Sequence, residues 1–208
     1  MGKGVAIFIE GDTESEFYSK LLEELHSFAP DKRFQVEKVI IRNLKGIGNY
    51  KSRAKRVFEK EIVARNVGIV FTVILCYDTD VFDYSANPPV VWSEVEQELK
   101  KLGAVKIVHI KAKRSIEDWF LFDKEGILQY LGLPADTHVP QTGGGNTLKT
   151  LFKKAGKVYV KGSSTKGFID SLDVKLIMGS VCSELKNMCK ELGIKCKNDN
   201  CQGGGRKK

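Results

Sequence analysis

Apolar residues fall along the chain in two kinds of pattern. Short β-branched and aromatic runs, Val5-Ala6-Ile7-Phe8-Ile9, Phe34 to Ile41, Ile69 to Leu75 and Val105 to Ile110, read as strands. Between them lie longer stretches in which apolar positions recur every three or four residues, the spacing of one helix face. Phe17, Leu21, Leu22, Leu25 and Phe28 form the first such face, and the T-x-x-E box of Thr13 and Glu16 predicts a helix opening at Glu14. Ala54, Val57, Phe58 and Ile62 predict a helix from about Tyr50 to Arg65, and Trp92, Val95, Leu99 and Leu102 one from about Val91 to Leu102. Ser115 and Asp118 form a second capping box, opening a helix on which Trp119, Phe120 and Phe122 are expected in the core. Strand and helix thus alternate four times. This order predicts an α/β fold with a mainly parallel four-stranded sheet, right-handed crossovers and flanking helices.

Beyond Leu133 the pattern changes. Pro134, Pro140 and Gly143-Gly144-Gly145 predict an irregular linker, with the glycines as a hinge. Short helices are expected near Thr147 to Ala155 and Phe168 to Leu172, and a longer one from about Leu176 to Leu192. The chain therefore divides into a domain over 1–133, a basic and mainly helical C-terminal elaboration over 134–202, and a tail over 203–208 expected to be disordered. No internal repeat is present.

Composition narrows the class. Over 208 residues, 42% hydrophobic and 29% charged side chains describe a soluble globular protein, and no apolar run approaches the length of a membrane span. Met1-Gly2-Lys3-Gly4 leads straight into a strand without the apolar core of a signal peptide, so a cytoplasmic location is expected. Five cysteines, an odd number, do not make a disulfide framework; Cys76 lies in a buried strand, and Cys182, Cys189, Cys196 and Cys201 match no tight zinc knuckle. A formal net charge of +8 favours a polyanionic partner. Lys51, Arg53, Lys55 and Arg56 share one helix. The candidates for contact with a nucleic acid are Lys45, Lys111, Lys113, Arg114, Lys153, Lys161 and Lys166.

The candidate chemistry lies where strands end. The third strand stops in Asp78-Thr79-Asp80, whose alternate carboxylates are expected to point the same way. The first stops in Glu10-Gly11, where glycine lets the chain turn away and leaves Glu10 at the rim. Glu117 follows the fourth strand and is expected exposed at a helix start, whereas Asp118 caps that helix. Ligands of open α/β sheets bind beyond the carboxyl ends of the strands. Hard oxygen donors collected there suit Mg²⁺ or Mn²⁺, so Glu10, Asp78, Asp80 and Glu117 are the candidate catalytic and metal-binding residues. His26, His109 and His138 are scattered and sit beside no obvious nucleophile, which argues against a Ser/His or Cys/His hydrolase.

Ile9-Glu10-Gly11 followed by a strand ending in Asp78-Thr79-Asp80 resembles the TOPRIM domain, the metal-binding module of topoisomerases, primases and several nuclease families. Glu10-Gly11-Asp12-Thr13-Glu14-Ser15-Glu16-Phe17 is similar to the E-G-x-T-E-x-x-F opening of the small TOPRIM proteins of bacterial defence systems, including the overcoming-lysogenization-defect group. Ser115-Ile116-Glu117-Asp118-Trp119-Phe120-Leu121 is similar to the I-E-x-W-L-L segment of relatives of that kind. The likeness covers residues 5 to 130. It implies a Mg²⁺- or Mn²⁺-dependent nuclease cleaving DNA or RNA, with a place in anti-phage defence and a protein partner from such a system. Asp78 and Asp80 would hold one ion, Glu10 would share it or a second ion or act in acid/base chemistry, and Glu117 would complete the site. Lys111, Lys113 or Arg114 would neutralise the phosphate. Two alternatives stay open: a non-catalytic TOPRIM-like nucleic-acid-binding or sensor subunit, and another Mg²⁺-dependent phosphotransfer enzyme. An aspartyl-phosphate phosphatase wants its D-x-D on the first strand, which here ends in Glu10.

Overall fold

A computed structural model describes residues 1–29, 31, 33–83, 88–163 and 167–194. Four strands, β1 (Gly2–Ile9), β2 (Lys38–Asn43), β3 (Ile69–Asp78) and β4 (Lys106–Ala112), form one sheet in the order β2-β1-β3-β4. Every pairing is parallel, with Gly4 opposite Lys38, Ile7 opposite Ile74 and Asp78 opposite Ala112. The sheet is the α/β architecture expected from the alternating pattern.

Alternation along each strand sends side chains to two separate cores. Val5, Ile7, Ile9, Ile74 and Cys76 face α1 (Asp12–Phe28), whose Phe17, Leu21 and Leu25 are buried against them. Ala6, Phe8, Val73, Leu75 and Tyr77 face the opposite layer, built from a helical run over 50–63 (α2) and from α4 (Trp92–Lys101). Wide π turns at Tyr50–Ala54 and Phe58–Val63 flank a central α turn in α2, yet Ala54, Val57, Phe58 and Ile62 keep the buried face expected of them. Trp92 is half-buried and stacks on Tyr77 with ring centroids 4.2 Å apart. A short helix, α3 (Asp80–Asp83), follows β3 directly.

After β4 come α5 (Ile116–Phe120) and α6 (Lys124–Leu131), then α7 (Gly144–Lys154), α8 (Phe168–Ser171), α9 (Val174–Ser180) and α10 (Cys182–Leu192). Their apolar residues, Leu148, Phe152, Phe168, Ile177 and Leu185 among them, join the same core as β1 and α1. The C-terminal part thus packs on the same face of the sheet as α1 and completes its cover. No helix among the described residues is long and apolar enough to cross a membrane.

Several local expectations give way to tertiary contacts. The second strand begins at Lys38 rather than Phe34, because Gln35 instead donates to the Leu192 carbonyl beside α10 (2.9 Å). Gly144 and Gly145 open α7 instead of extending a linker. Phe122 is half exposed, since α5 ends at Phe120 and the chain turns before the third aromatic can join the buried face. Cys182 is disulfide-bonded, while Cys76 and Cys189 are buried. Cys196, Cys201, Lys166 and the tail over 203–208 lie outside the described residues.

Candidate active site

The strand order places β1 beside β3, and the helices that follow them, α1 and α4, pack on opposite faces, so the carboxyl ends of these two strands form the crevice where ligands of such sheets bind. Tyr50 joins the two strand ends: its hydroxyl donates to the Phe8 carbonyl (3.2 Å) and the Cys76 carbonyl. Glu10 leaves β1 next to this clamp. Its carbonyl accepts from Gly46 (2.7 Å), whose φ of +111° suits glycine, and its carboxylate Oε1 accepts from the Asp78 amide (3.0 Å).

β3 ends at Asp78, and Asp80 already belongs to a helical turn. The D-x-D is therefore not an extended strand end as the alternation argument supposed. The two carboxylates still converge, because Thr79 and Asp80 continue pairing past β4, to the Ala112 carbonyl (3.1 Å) and the Arg114 carbonyl (2.9 Å). Arg114 completes this edge in a left-handed conformation (φ +68°), its amide donating to Thr79 Oγ1 (2.8 Å). Asp78 Oδ1 accepts from the Ile116 amide (2.9 Å), so this buried aspartate holds the start of α5.

Glu117 was expected at the surface, but it is 1% exposed. Tyr159, from the segment after α7, donates its hydroxyl to Glu117 Oε1 (3.0 Å) and closes over it. Gly144 packs so tightly beneath that a Cβ there would lie 2.3 Å from the Asp118 amide nitrogen. Neither capping box forms as drawn from the sequence. Ser115 Oγ donates to Asp118 Oδ2 (2.9 Å), and Asp118 Oδ1 accepts from the Gly144 amide (3.0 Å). At α1 there is no side-chain cap; the Asp12 amide donates to the Gly162 carbonyl (2.9 Å) and Thr13 Oγ1 to the Ser163 carbonyl (2.7 Å).

These contacts bring Lys161 into the middle of the acids. Its ammonium lies 2.9 Å from Asp78 Oδ2, 3.1 Å from Asp80 Oδ2 and 4.0 Å from Glu117 Oε2. Burial raises the pKa of Glu10 to about 7, with Glu14 and Asp80 adding to the effect. Burial likewise raises Glu14 and raises Asp78 well above the ordinary carboxylate range, with Lys161 opposing both. Burial alone would lower Lys161, but Asp78, Glu117 and Asp80 outweigh it and hold the ammonium charged.

All four expected acids therefore meet at one edge. Glu14, 8% exposed on the first turn of α1, joins their electrostatic neighbourhood and was not among them. Its signal was present in the four-residue spacing from Glu10, but an acid in a helix's first turn is also what the helix dipole favours. Tyr159 carried no sequence signal. Of the expected nucleic-acid contacts, Lys111 is exposed near the end of β4, Lys113 and Arg114 are exposed on the chain leaving it and Lys153 is exposed on α7, whereas Lys45 pairs with Asp12 (2.6 Å). In the basic patch of α2, Lys51 and Lys55 are tied to Glu94 and Glu98 of α4 (2.7 and 2.5 Å).

Among the described residues no three acidic, histidine or cysteine side chains stand ready to hold one metal ion. The donors gathered at this edge are carboxylate oxygens, the type a hard divalent cation takes. Buried oxygens of Glu14 (Oε2), Asp80 (Oδ1) and Glu117 (Oε2) make no hydrogen bond among the described residues, and one lysine does not balance this many carboxylates. Mg²⁺ commonly takes one or two protein carboxylates and completes its shell with water and phosphate.

No protein-family model matches the chain, and no curated protein matches it. Among solved structures, an ABC domain in complex with L-Trp from Streptococcus pneumonia is 11% identical over 96% of each chain with a TM-score of 0.22, too slight a likeness to bear on fold or function.

Proposed function

We propose that the carboxyl edge of the sheet is the active site of a TOPRIM-like, metal-dependent nuclease that hydrolyses phosphodiester bonds in DNA or RNA. The observation that carries this reading is the convergence of Glu10, Glu14, Asp78, Asp80 and Glu117 at one edge of the sheet, with buried carboxylate oxygens left without hydrogen bonds among the described residues. Asp78, Asp80 and Glu117 would hold a Mg²⁺ or Mn²⁺ ion. Such an ion, when bound, supplies Lewis acidity that lowers the pKa of water and offsets charge developing at phosphorus.

The chain's own groups support the rest of the chemistry. Glu10, with a pKa near 7, is suited to take a proton from water or return one to the leaving oxygen at neutral pH. Lys111, Lys113 and Arg114, exposed beside the site, are suited to hold phosphates flanking the one cleaved. A place in anti-phage defence rests on the E-G-x-T-E-x-x-F likeness alone. The ion pairs of Lys161 favour one competing reading, a non-catalytic nucleic-acid-binding module in which the lysine simply neutralises the acids.

Incubation of the purified protein with supercoiled plasmid, single-stranded DNA and transfer RNA, in Mg²⁺, Mn²⁺ or EDTA, separates the two. Metal-dependent cutting that Asp78→Asn abolishes supports the nuclease and names its substrate; binding without cutting in every metal supports the module.

A further inference from the structure

Between Asp136 and Asp170 the sequence holds no acidic residue, while Lys149, Lys153, Lys154, Lys157, Lys161 and Lys166 fall within that stretch. Two of these lysines, Lys149 and Lys153, stand one turn apart on α7. Leu148, Leu151 and Phe152 bury one side of the helix, and Asn146, Lys149, Thr150 and Lys153 are exposed on the other. Helix lysines in the first part of the chain are compensated: Lys51, Lys55, Lys100 and Lys101 pair with Glu94, Glu98 and Glu96. Among the described residues, neither Lys149 nor Lys153 meets a carboxylate. Like charges four residues apart on a helix repel. The helix dipole favours Lys153 and Lys154 in the last turn, but it does not account for Lys149 in the middle.

The position of α7 gives this charge a use. At its start the Gly144 amide donates to Asp118 Oδ1 (3.0 Å), a Cβ on Gly144 would lie 2.4 Å from the Glu117 carbonyl carbon, and one on Gly143 would lie 2.3 Å from Arg114 Nη2. The segment after α7 returns to the same edge, where Tyr159 bonds Glu117. The helix therefore runs outward from the acids, with Lys149 and Lys153 about 8 and 14 Å along its axis from Gly144. A strand of duplex nucleic acid advances about 3.4 Å per nucleotide, so the two lysines stand about two and four nucleotides from a phosphodiester seated at the acids. The outer face offers no apolar side chain to insert into lipid, and a phosphate backbone is the polyanion it fits.

We propose that the outer face of α7 is a docking surface for a nucleic-acid backbone, with Lys149 and Lys153 on phosphates about two to four nucleotides from the one that reaches the acids. The register rests on the phosphodiester reading of that edge; the docking itself does not.

The test is fluorescence anisotropy in EDTA with labelled single-stranded DNA, single-stranded RNA and duplex DNA of about twenty nucleotides, long enough to span the helix. Lys149→Gln/Lys153→Gln is compared with Lys100→Gln/Lys101→Gln, which removes the same charge from the paired lysines of α4, and melting curves establish that both fold. On the probe that the wild type binds most tightly, the α7 variant is expected to bind about tenfold or more weakly and to lower the slope of log affinity against log salt by about two, with the α4 variant within about twofold of the wild type. Unchanged affinity in the α7 variant, an equal loss in both variants, or no binding of any probe by the wild type overturns the inference. Binding of phosphatidylserine vesicles but of no oligonucleotide also overturns it and assigns the face to a membrane. Binding that needs Lys149 and Lys153 without cutting in Mg²⁺ or Mn²⁺ sinks the nuclease reading and leaves the docking surface standing; cutting, with binding unchanged in the α7 variant, does the reverse.

Discussion

At the scale of single residues, the acids are held in an environment that opposes their charge, and this has a direction with pH. Glu10 is raised from 4.5 to about 7 by burial, so the folded state of the free protein prefers it protonated. Its contribution to stability is fully present below pH 4.5 and is lost as pH rises through 7; Glu14 and Asp78 are raised too and act in the same sense. Glu10→Gln, which keeps an acceptor for the Asp78 amide, should therefore stabilise the metal-free protein at pH 8 by about 3 kcal/mol and leave it nearly unchanged at pH 4. Denaturant unfolding at the two pH values measures this, and an equal effect at both would contradict it. Tyr159→Phe removes the hydrogen bond that Tyr159 gives to Glu117 Oε1, a buried carboxylate oxygen with no other partner among the described residues. A loss of about 1–3 kcal/mol is expected in the same measurement.

At the scale of elements, the sheet was legible because buried parallel strands write continuous apolar runs, and Ile69 to Leu75 could be little else. Helix faces were legible by period: Phe17, Leu21 and Leu25, or Val95 and Leu99, are buried as their spacing requires. Glu10, Asp78 and Asp80 were legible because they interrupt apolar runs at strand ends. What stayed hidden depends on residues far apart in sequence. Thr13 looked like a helix cap, but its hydroxyl bonds the Ser163 carbonyl, 150 residues on. Glu117 looked exposed because nothing nearby in sequence announces that Tyr159 covers it. Gly143-Gly144-Gly145 looked like a hinge because glycine runs usually are, whereas Gly144 is required by its close approach to α5. Gly144→Ala should accordingly cost about 1–3 kcal/mol through backbone displacement beneath Glu117. Gly145→Ala, with nothing within 4 Å of its added Cβ, should be neutral or gain up to about 1 kcal/mol in helix propensity. Thermal melts of the pair check the contrast, and equal losses would contradict it.

At the scale of the whole molecule, a net charge of +8 coexists with an acidic centre, an arrangement that draws in a polyanion while leaving a cation-demanding site at the point of chemistry. If Lys111, Lys113 and Arg114 carry phosphates, replacing all three with alanine should lower the slope of log affinity against log salt by about two to three. A slope unchanged in the triple variant, measured by fluorescence anisotropy in EDTA, would move the nucleic-acid surface elsewhere. The central claim is that these acids do phosphodiester chemistry and are more than an ion-pair network around Lys161. Asp80 tests it most directly, because it is half-buried, and Asp80→Asn keeps an oxygen opposite Lys161 while removing a charge. The decisive measurement is the initial rate of nucleic-acid cleavage against Mg²⁺ concentration for the wild-type and Asp80→Asn proteins, with matching melting curves. The account predicts a saturable Mg²⁺ dependence in the wild type and a loss of about a hundredfold or more in the variant without loss of fold. Equal cleavage by the two proteins, or a rate unaffected by Mg²⁺ and EDTA, would contradict it.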